Sequence, residues 1–389
     1  MIHDTLAPPA RGASARWRGA VLRLRRVPAR SSRPLLVRRT VVRPVAPGPH
    51  SSCCSRTVDD DPARPYGSRV YRLRAAVAAT AVLLLSLTAC GNDGARSGGD
   101  GPDSIEIGAL SIVDTAPVHL AVSHGFFAKN GISAKITPVQ GGANSAPGVV
   151  SGQFDFGFSN TTTLLTAREQ GLPLKAVANG VSSTGQAGPG KDYSAILVPK
   201  DSSIRSARDL PGHNIAVNQL QNIGDTTIRA AVRKAGGDPG KLRFTEIPLP
   251  DMAAALAAGR VDAVWTVEPF QTQTVDQGAR AVCWPFAEAV DNLTVAMYFT
   301  SEKLLRENPG LVKRFTTAIN QALAYARTHP EAVREELGKY TKIPPAVIHR
   351  IVLPKWPTEI NRASVQTVAD LARKDGVLKR PADVGALLP

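Results

Sequence analysis

The chain has 389 residues, 43% of them apolar, which is enough for two domains with real cores. Lys+Arg 47 against Asp+Glu 32 give a formal charge of +15, but residues 1 to 74 alone hold 16 Arg, no Lys and 4 Asp, so +12 of it lies there. Residues 75 to 389 are almost balanced, with 31 basic and 28 acidic side chains and no dense basic run; with aromatics at 5%, that excludes a nucleic-acid surface built on charge or on stacking.

Residues 1–69 are rich in Arg and Pro and show no hydrophobic period, so nothing in them would form a core. They are expected to be either a disordered extension or a mis-assigned one, with translation starting near Val70. Residues 75 to 89 form an uncharged apolar run after Arg72 and Arg74. Fifteen residues are too few to cross about 30 Å of hydrocarbon as a helix. A basic flank, a short apolar run and small residues at its end make a secretory signal over 70–89. Its end, Leu87-Thr88-Ala89-Cys90-Gly91, resembles the lipobox of bacterial lipoproteins, which implies that Cys90 carries diacylglycerol and begins the mature chain. Residues 90–104 would then be the lipidated Cys and a Gly-rich tether. Cys53 and Cys54 fall before that point, so the globular part keeps only Cys283, which can form neither an internal disulfide nor, alone, a zinc site.

From residue 105 short apolar runs alternate with helical patterns, the mark of an α/β protein. Strands are predicted over 105–112, 135–139, 154–158 and 174–181, with helices from Thr115-Ala116-Pro117, where Thr115 is the expected N-cap, over 145–151 and over 161–170. A second block reads as strands 193–198, 214–218, 243–247, 261–266 and 279–284. Its helices are 206–210, 225–235 with Asp225 or Thr226 as cap, 251–258, and one opened by Glu268-Pro269. The third block begins with a strand over 293–300 and then turns helical, at 309–328, 330–338, 344–352 and 361–374. Leu311, Phe315, Ile319, Ala322 and Ala326 form one stripe of helix 309–328.

No catalytic signature stands out. Gly185 to Lys191 spells Gly-x-x-x-x-Gly-Lys, but Asp192 follows where a P-loop needs Ser or Thr, and the segment leads into a strand instead of joining strand to helix. His119 and His124, five apart on one helix, point about 140° apart, poor geometry for one metal. Neither a metal nor another cofactor is expected. In an open α/β sheet, ligands bind beyond the carboxyl ends of the strands, where helix N-termini offer N–H groups. Four loops qualify, 111–116 and 159–162 in the first block and 218–227 and 266–269 in the second, which suggests a ligand held between two lobes.

Six segments in order carry a resemblance. They are Ala116-Pro-Val-His-Leu-Ala with His124-Gly-Phe-Phe-Ala-Lys-Asn-Gly-Ile132; Ser151-Gly-Gln-Phe-Asp-Phe-Gly157; Gly171-Leu-Pro-Leu-Lys-Ala-Val177; Asp209-Leu-Pro-Gly-His-Asn-Ile-Ala-Val217; Ala255-Leu-Ala-Ala-Gly-Arg-Val-Asp-Ala263; and Glu268-Pro269. Together the chain resembles the substrate-binding proteins of ABC importers for nitrate, sulfonates and taurine, and their relatives that bind pyrimidine precursors of thiamin. The resemblance implies an α/β, two-lobed, type 2 periplasmic-binding-protein-like fold with two crossover strands. Lobe 1 would be 105–193 plus 287–389 and lobe 2 would be 194–286, closing on a small solute by hinge motion. Carried over by position, Ser111, Ser159, Asn160 and Thr161 would be contacts from lobe 1, and Gln219, Gly224, Asp225, Thr226 and Glu268 contacts from lobe 2. A carboxylate at Asp225 would repel an anionic head group unless it points away, which leaves room for a neutral or amine-bearing solute. The implied protein is a monomer, not an enzyme, lipid-anchored on the outer face of the cell membrane and passing its solute to an ABC permease and ATPase. The alternatives are a pyrimidine-precursor synthase, whose members carry a Cys-rich motif that this chain lacks, and a lipid-anchored sensor using the same cleft.

Overall fold

The computed structural model describes residues 101–389. The expected extension 1–69, signal 70–89 and anchor Cys90 lie outside the described residues, as does the first part of the expected tether. Ten strands form two five-stranded sheets. The first, in the order β2-β1-β3-β10-β4, contains β1 (Asp103–Ala109), β2 (Ile132–Pro138), β3 (Phe156–Asn160), β4 (Leu174–Ser182) and β10 (Thr294–Ser301). The second, in the order β7-β6-β8-β5-β9, contains β5 (Ser194–Pro199), β6 (Asn214–Val217), β7 (Arg243–Glu246), β8 (Ala263–Val267) and β9 (Ala279–Cys283). Each sheet has four strands running the same way with one antiparallel strand inserted, β10 between β3 and β4 and β5 between β8 and β9. The chain passes from the first sheet to the second once, between β4 and β5, and returns once, between β9 and β10. Two connections and two sheets give two lobes.

Strands covered on both faces read as continuous apolar runs. Accordingly β10, Thr294 to Ser301, is buried throughout, and in β3 only Asn160 at its end is half-buried. Pairing Met297 with Ser159 and Ala296 with Asn160 fixes the register at which β3 delivers its last residues to the cleft. The long helix Pro309–Thr328 covers this sheet with the stripe read from the sequence: Leu311, Phe315, Ile319, Ala322 and Ala326 are all buried. Phe315 lies flat on Phe156 with ring centroids 3.6 Å apart, so this stripe is core.

Local starts differ from the sequence reading in instructive ways. Thr115 makes no cap bond; its hydroxyl donates to the carbonyls of Leu110 (2.7 Å) and Ile112 (2.9 Å) and folds the segment before helix Ala116–Ser123 into a tight turn. Helix Ile223–Lys234 starts two residues earlier than expected because Asn222, not Asp225 or Thr226, caps it. The Gly185 to Lys191 segment is a loop between β4 and β5, not a strand-to-helix phosphate cradle. Cys283 is buried and its thiol donates to Glu288 Oε2 at 3.3 Å. Among the described residues no helix is long and apolar enough to cross a membrane, and no cluster of three or more His, Cys, Asp or Glu could hold a metal.

Candidate functional site

The carboxyl ends of strands from both sheets converge on one cavity of about 40 Å³, room for a few water-sized groups. The first lobe contributes Asp114 from the turn after β1, Phe158 and Asn160 from β3, and Gly142 at the start of helix Gly142–Ser151. The second contributes Asn218 and Asn222 from the loop after β6, Trp265 from β8 and Phe286. Leu110, Ile112, Leu249 and Val267 fill the apolar remainder. The wall is thus mostly apolar and aromatic, with three amides and one carboxyl, the pattern of small-ligand sites in general.

Asp114 is the unusual member. It is 3% exposed, its Oδ1 has no hydrogen-bond partner, and its Oδ2 has only the Tyr193 hydroxyl at 3.5 Å. Burial pushes its pKa up to about 7, offset in part by its own backbone N–H and by Tyr193, while neighbouring Asp192 pushes the same way as burial. Trp265 is held by Nε1 donating to Ser194 Oγ at 2.9 Å and stands edge-on to Phe286. Gly224 allows this: a Cβ there would lie 2.7 Å from the indole ring, so only glycine lets the helix start approach the ring. Gly142 does the same in the first lobe, where a Cβ would fall 2.0 Å from Ser159 Oγ.

Of the nine residues singled out in the sequence, Asn160 lines the cavity. Its Oδ1 caps helix Thr161–Glu169 by accepting from Thr163 N at 2.9 Å. Ser159 lies behind it, fully buried, with its hydroxyl unpartnered. Ser111 is half-buried and outside the lining, although its neighbours Leu110 and Ile112 belong to it. Thr161 spends its hydroxyl on the Thr294 carbonyl at 2.7 Å. Gln219 reaches across the cleft, accepting from Ala143 N and donating to Asn144 Oδ1, both at 3.3 Å. Thr226 donates to the Asn222 carbonyl and lies 3.2 Å from Thr162 Oγ1 of the other lobe. Gly224 serves Trp265, as above.

Asp225 and Glu268 point elsewhere. Asp225 is turned along its helix to Arg229 and is absent from the lining. Burial raises its pKa despite that pairing. Glu268 is fully buried beside the cleft, at the crossover: it accepts from Thr272 N and Oγ1, and from Val352 N of the first lobe at 3.2 Å, while its carbonyl accepts from Val113 N. Burial lifts its pKa to about 7. Sequence reasoning missed Asp114, Asn218, Asn222, Trp265 and Phe286; Asp114, Asn218 and Asn222 lie inside loops it had marked.

The sequence profile of NMT1/THI5 like proteins matches residues 113–333. A protein of Escherichia coli (strain K12) described as an aliphatic sulfonates-binding protein is 25% identical over 275 residues, covering 68% of this chain and 82% of its own. The 4-amino-5-hydroxymethyl-2-methylpyrimidine phosphate synthase THI12 of Saccharomyces cerevisiae (strain ATCC 204508 / S288c) is 22% identical over 227 residues, 55% of this chain and 64% of its own. In structure, the alkanesulfonate-binding protein SsuA from Xanthomonas axonopodis pv. citri, bound to MOPS, matches with a TM-score of 0.62 at 20% identity, over 74% of this chain and 99% of that one. The two-lobed architecture is therefore that of periplasmic binding proteins. With a profile match over more than half its length, the chain belongs to the NMT1/THI5 like family.

Proposed function

We propose that the protein is an extracytoplasmic solute-binding protein, held to the outer face of the membrane through lipid on Cys90, that captures a small organic solute and delivers it to an ABC permease and ATPase. One observation carries the binding part: a cavity walled by aromatic rings and amides from both lobes, with a buried carboxyl whose Oδ1 is unpartnered. The relatives described as sulfonate-binding proteins support the same reading. The lining has a single ionisable side chain, Asp114, and three amides, a set suited to holding a solute and short of the acid, base or nucleophile pairings that turnover needs. Cys283 does not supply the missing nucleophile, because burial and Glu288 push its thiol pKa well up.

A thermal-shift screen of the purified protein over sulfonates, carboxylates, pyrimidines and amines tests the reading. A true ligand at about 100 times its dissociation constant stabilises the fold by about 2.7 kcal/mol. At least one strong hit is expected, recovered chemically unchanged; turnover of the hit would replace binding by catalysis. Anchoring is tested separately by Cys90→Ser, which should release soluble protein or leave uncleaved precursor, since stable attachment needs two acyl chains. Mature-sized mutant protein in the membrane fraction would exclude the anchor.

A further inference from the structure

We infer that the interlobe cavity is selective for a small organic cation, with Asp114 as the residue that sets the charge. The inference rests on the solute-binding reading above and specifies what the cleft accepts. Asp114 is buried, aimed into the cavity and leaves Oδ1 without a partner, and no Lys, Arg or His lines the space with it. A buried carboxyl in that position needs a donor or a counter-charge, and a cationic ligand in the cavity would supply both. Its raised pKa has the same origin, since neither the Tyr193 hydroxyl nor its own N–H replaces the lost water. The aromatic rings of Phe158, Trp265 and Phe286 line the same wall, and aromatic surroundings favour a cation.

The helix starts at the cavity also disfavour an anion. Free N–H groups at helix N-termini hold oxyanions. Here Asn222 Oδ1 already accepts from Gly224 N and Asp225 N, Asn160 Oδ1 from Thr163 N, and Gln219 Oε1 from Ala143 N. Each of these three helix starts already has an amide oxygen on one or two of its first N–H groups, which leaves fewer free donors for an oxyanion that would also sit near Asp114. What stays uncommitted is Nδ2 of Asn160 and of Asn218, neither of which has a hydrogen-bond partner among the described residues. These donors suit an acceptor group on the remainder of the solute.

The test is calorimetric titration of the whole mature protein with two matched sets: guanidinium and ethylammonium as cations, nitrate and methanesulfonate as anions. The cations are expected to bind wild-type protein at least tenfold more tightly than the anions. Asp114→Asn, which preserves shape, should remove that preference. A wild-type protein that binds the anions as tightly as the cations, or an Asp114→Asn variant that keeps the preference, overturns the inference and leaves solute capture standing. If neither set binds, and mass spectrometry finds no small molecule carried through purification, both readings fall together.

Discussion

Asp114, Glu268 and His119 are among the buried titratable residues that give the unliganded protein a pH dependence whose direction can be derived. Asp114 and Glu268 both have pKa values raised to about 7 by burial, whereas unfolded carboxyls ionise near 4. Between about pH 4 and 7 the folded protein therefore holds protons that the unfolded chain has released, and stability falls as pH rises through that window. His119 acts in the opposite sense. Buried and stacked on Tyr340 with ring centroids 3.6 Å apart, it has its pKa lowered to about 4, so the unfolded chain binds the extra proton and its contribution grows from about pH 4 to 6.5. Glu268 has donors from Thr272 and Val352 to accommodate its charge, whereas Asp114 has almost none. Asp114→Asn should then lose less stability than wild type between pH 5 and pH 8, by about 1 kcal/mol or more, in urea unfolding of the unliganded protein. Parallel profiles would mean that Asp114 finds a partner in solution that the folded structure does not show.

At the scale of elements, helix Ile223–Lys234 shows why the cleft was only partly legible in the sequence. The run Asn222-Ile-Gly-Asp-Thr226 offers three side chains able to cap a helix, and capping preference alone does not choose among Asn, Asp and Thr. Tertiary packing chooses: with Asn222 as cap, Gly224 meets the Trp265 ring and Asp225 falls four residues before Arg229, which draws its carboxylate away from the cavity. The loop 111–116 was equally visible as a strand end. Which of its residues enters the cleft depends on a single turn, Val113–Thr115, fixed by Thr115 bonding backward, and that turn presents Asp114 where Ser111 had been expected. Helix 309–328, by contrast, was fully legible because a 20-residue stripe repeats one signal many times. The cap assignment makes a sharp contrast between two neighbours. Asn222→Ala should destabilise the protein by about 1 kcal/mol and weaken solute binding, since the residue both caps and lines the cavity. Asp225→Asn should cost stability through Arg229 and leave affinity within twofold, read by calorimetry and thermal melts side by side. Equal loss of affinity in both would place Asp225 back in the site.

Across the whole molecule, the lobes meet through side chains among the described residues. Gln219 bridges to Ala143 and Asn144, Thr162 meets Thr226, Arg233 pairs with Asp375, and Arg350 pairs with Asp276. In a protein that closes on its solute, contacts of this kind must be weak, because a latch as strong as the ligand would hold the cleft shut when empty. Two of the four agree, whereas Arg233–Asp375 and Thr162–Thr226 are largely buried. The Arg350–Asp276 pair is largely exposed, so it adds at most about 1 kcal/mol, and both Gln219 bonds are long and at the surface. Gln219 is the cleanest probe, since it bridges the lobes yet does not line the cavity. Removing its two bonds should cost roughly 0.5 kcal/mol each in the closed state and nothing in the open one. Gln219→Ala is therefore expected to weaken solute affinity about fivefold, mainly through faster release in stopped-flow dissociation, while the melting temperature without ligand changes little. The thermal shift at a fixed solute concentration should shrink accordingly. An unchanged release rate would mean that the lobes close without this bridge. A large drop in unliganded stability would show instead that the contact belongs to the resting fold and not to a closing motion.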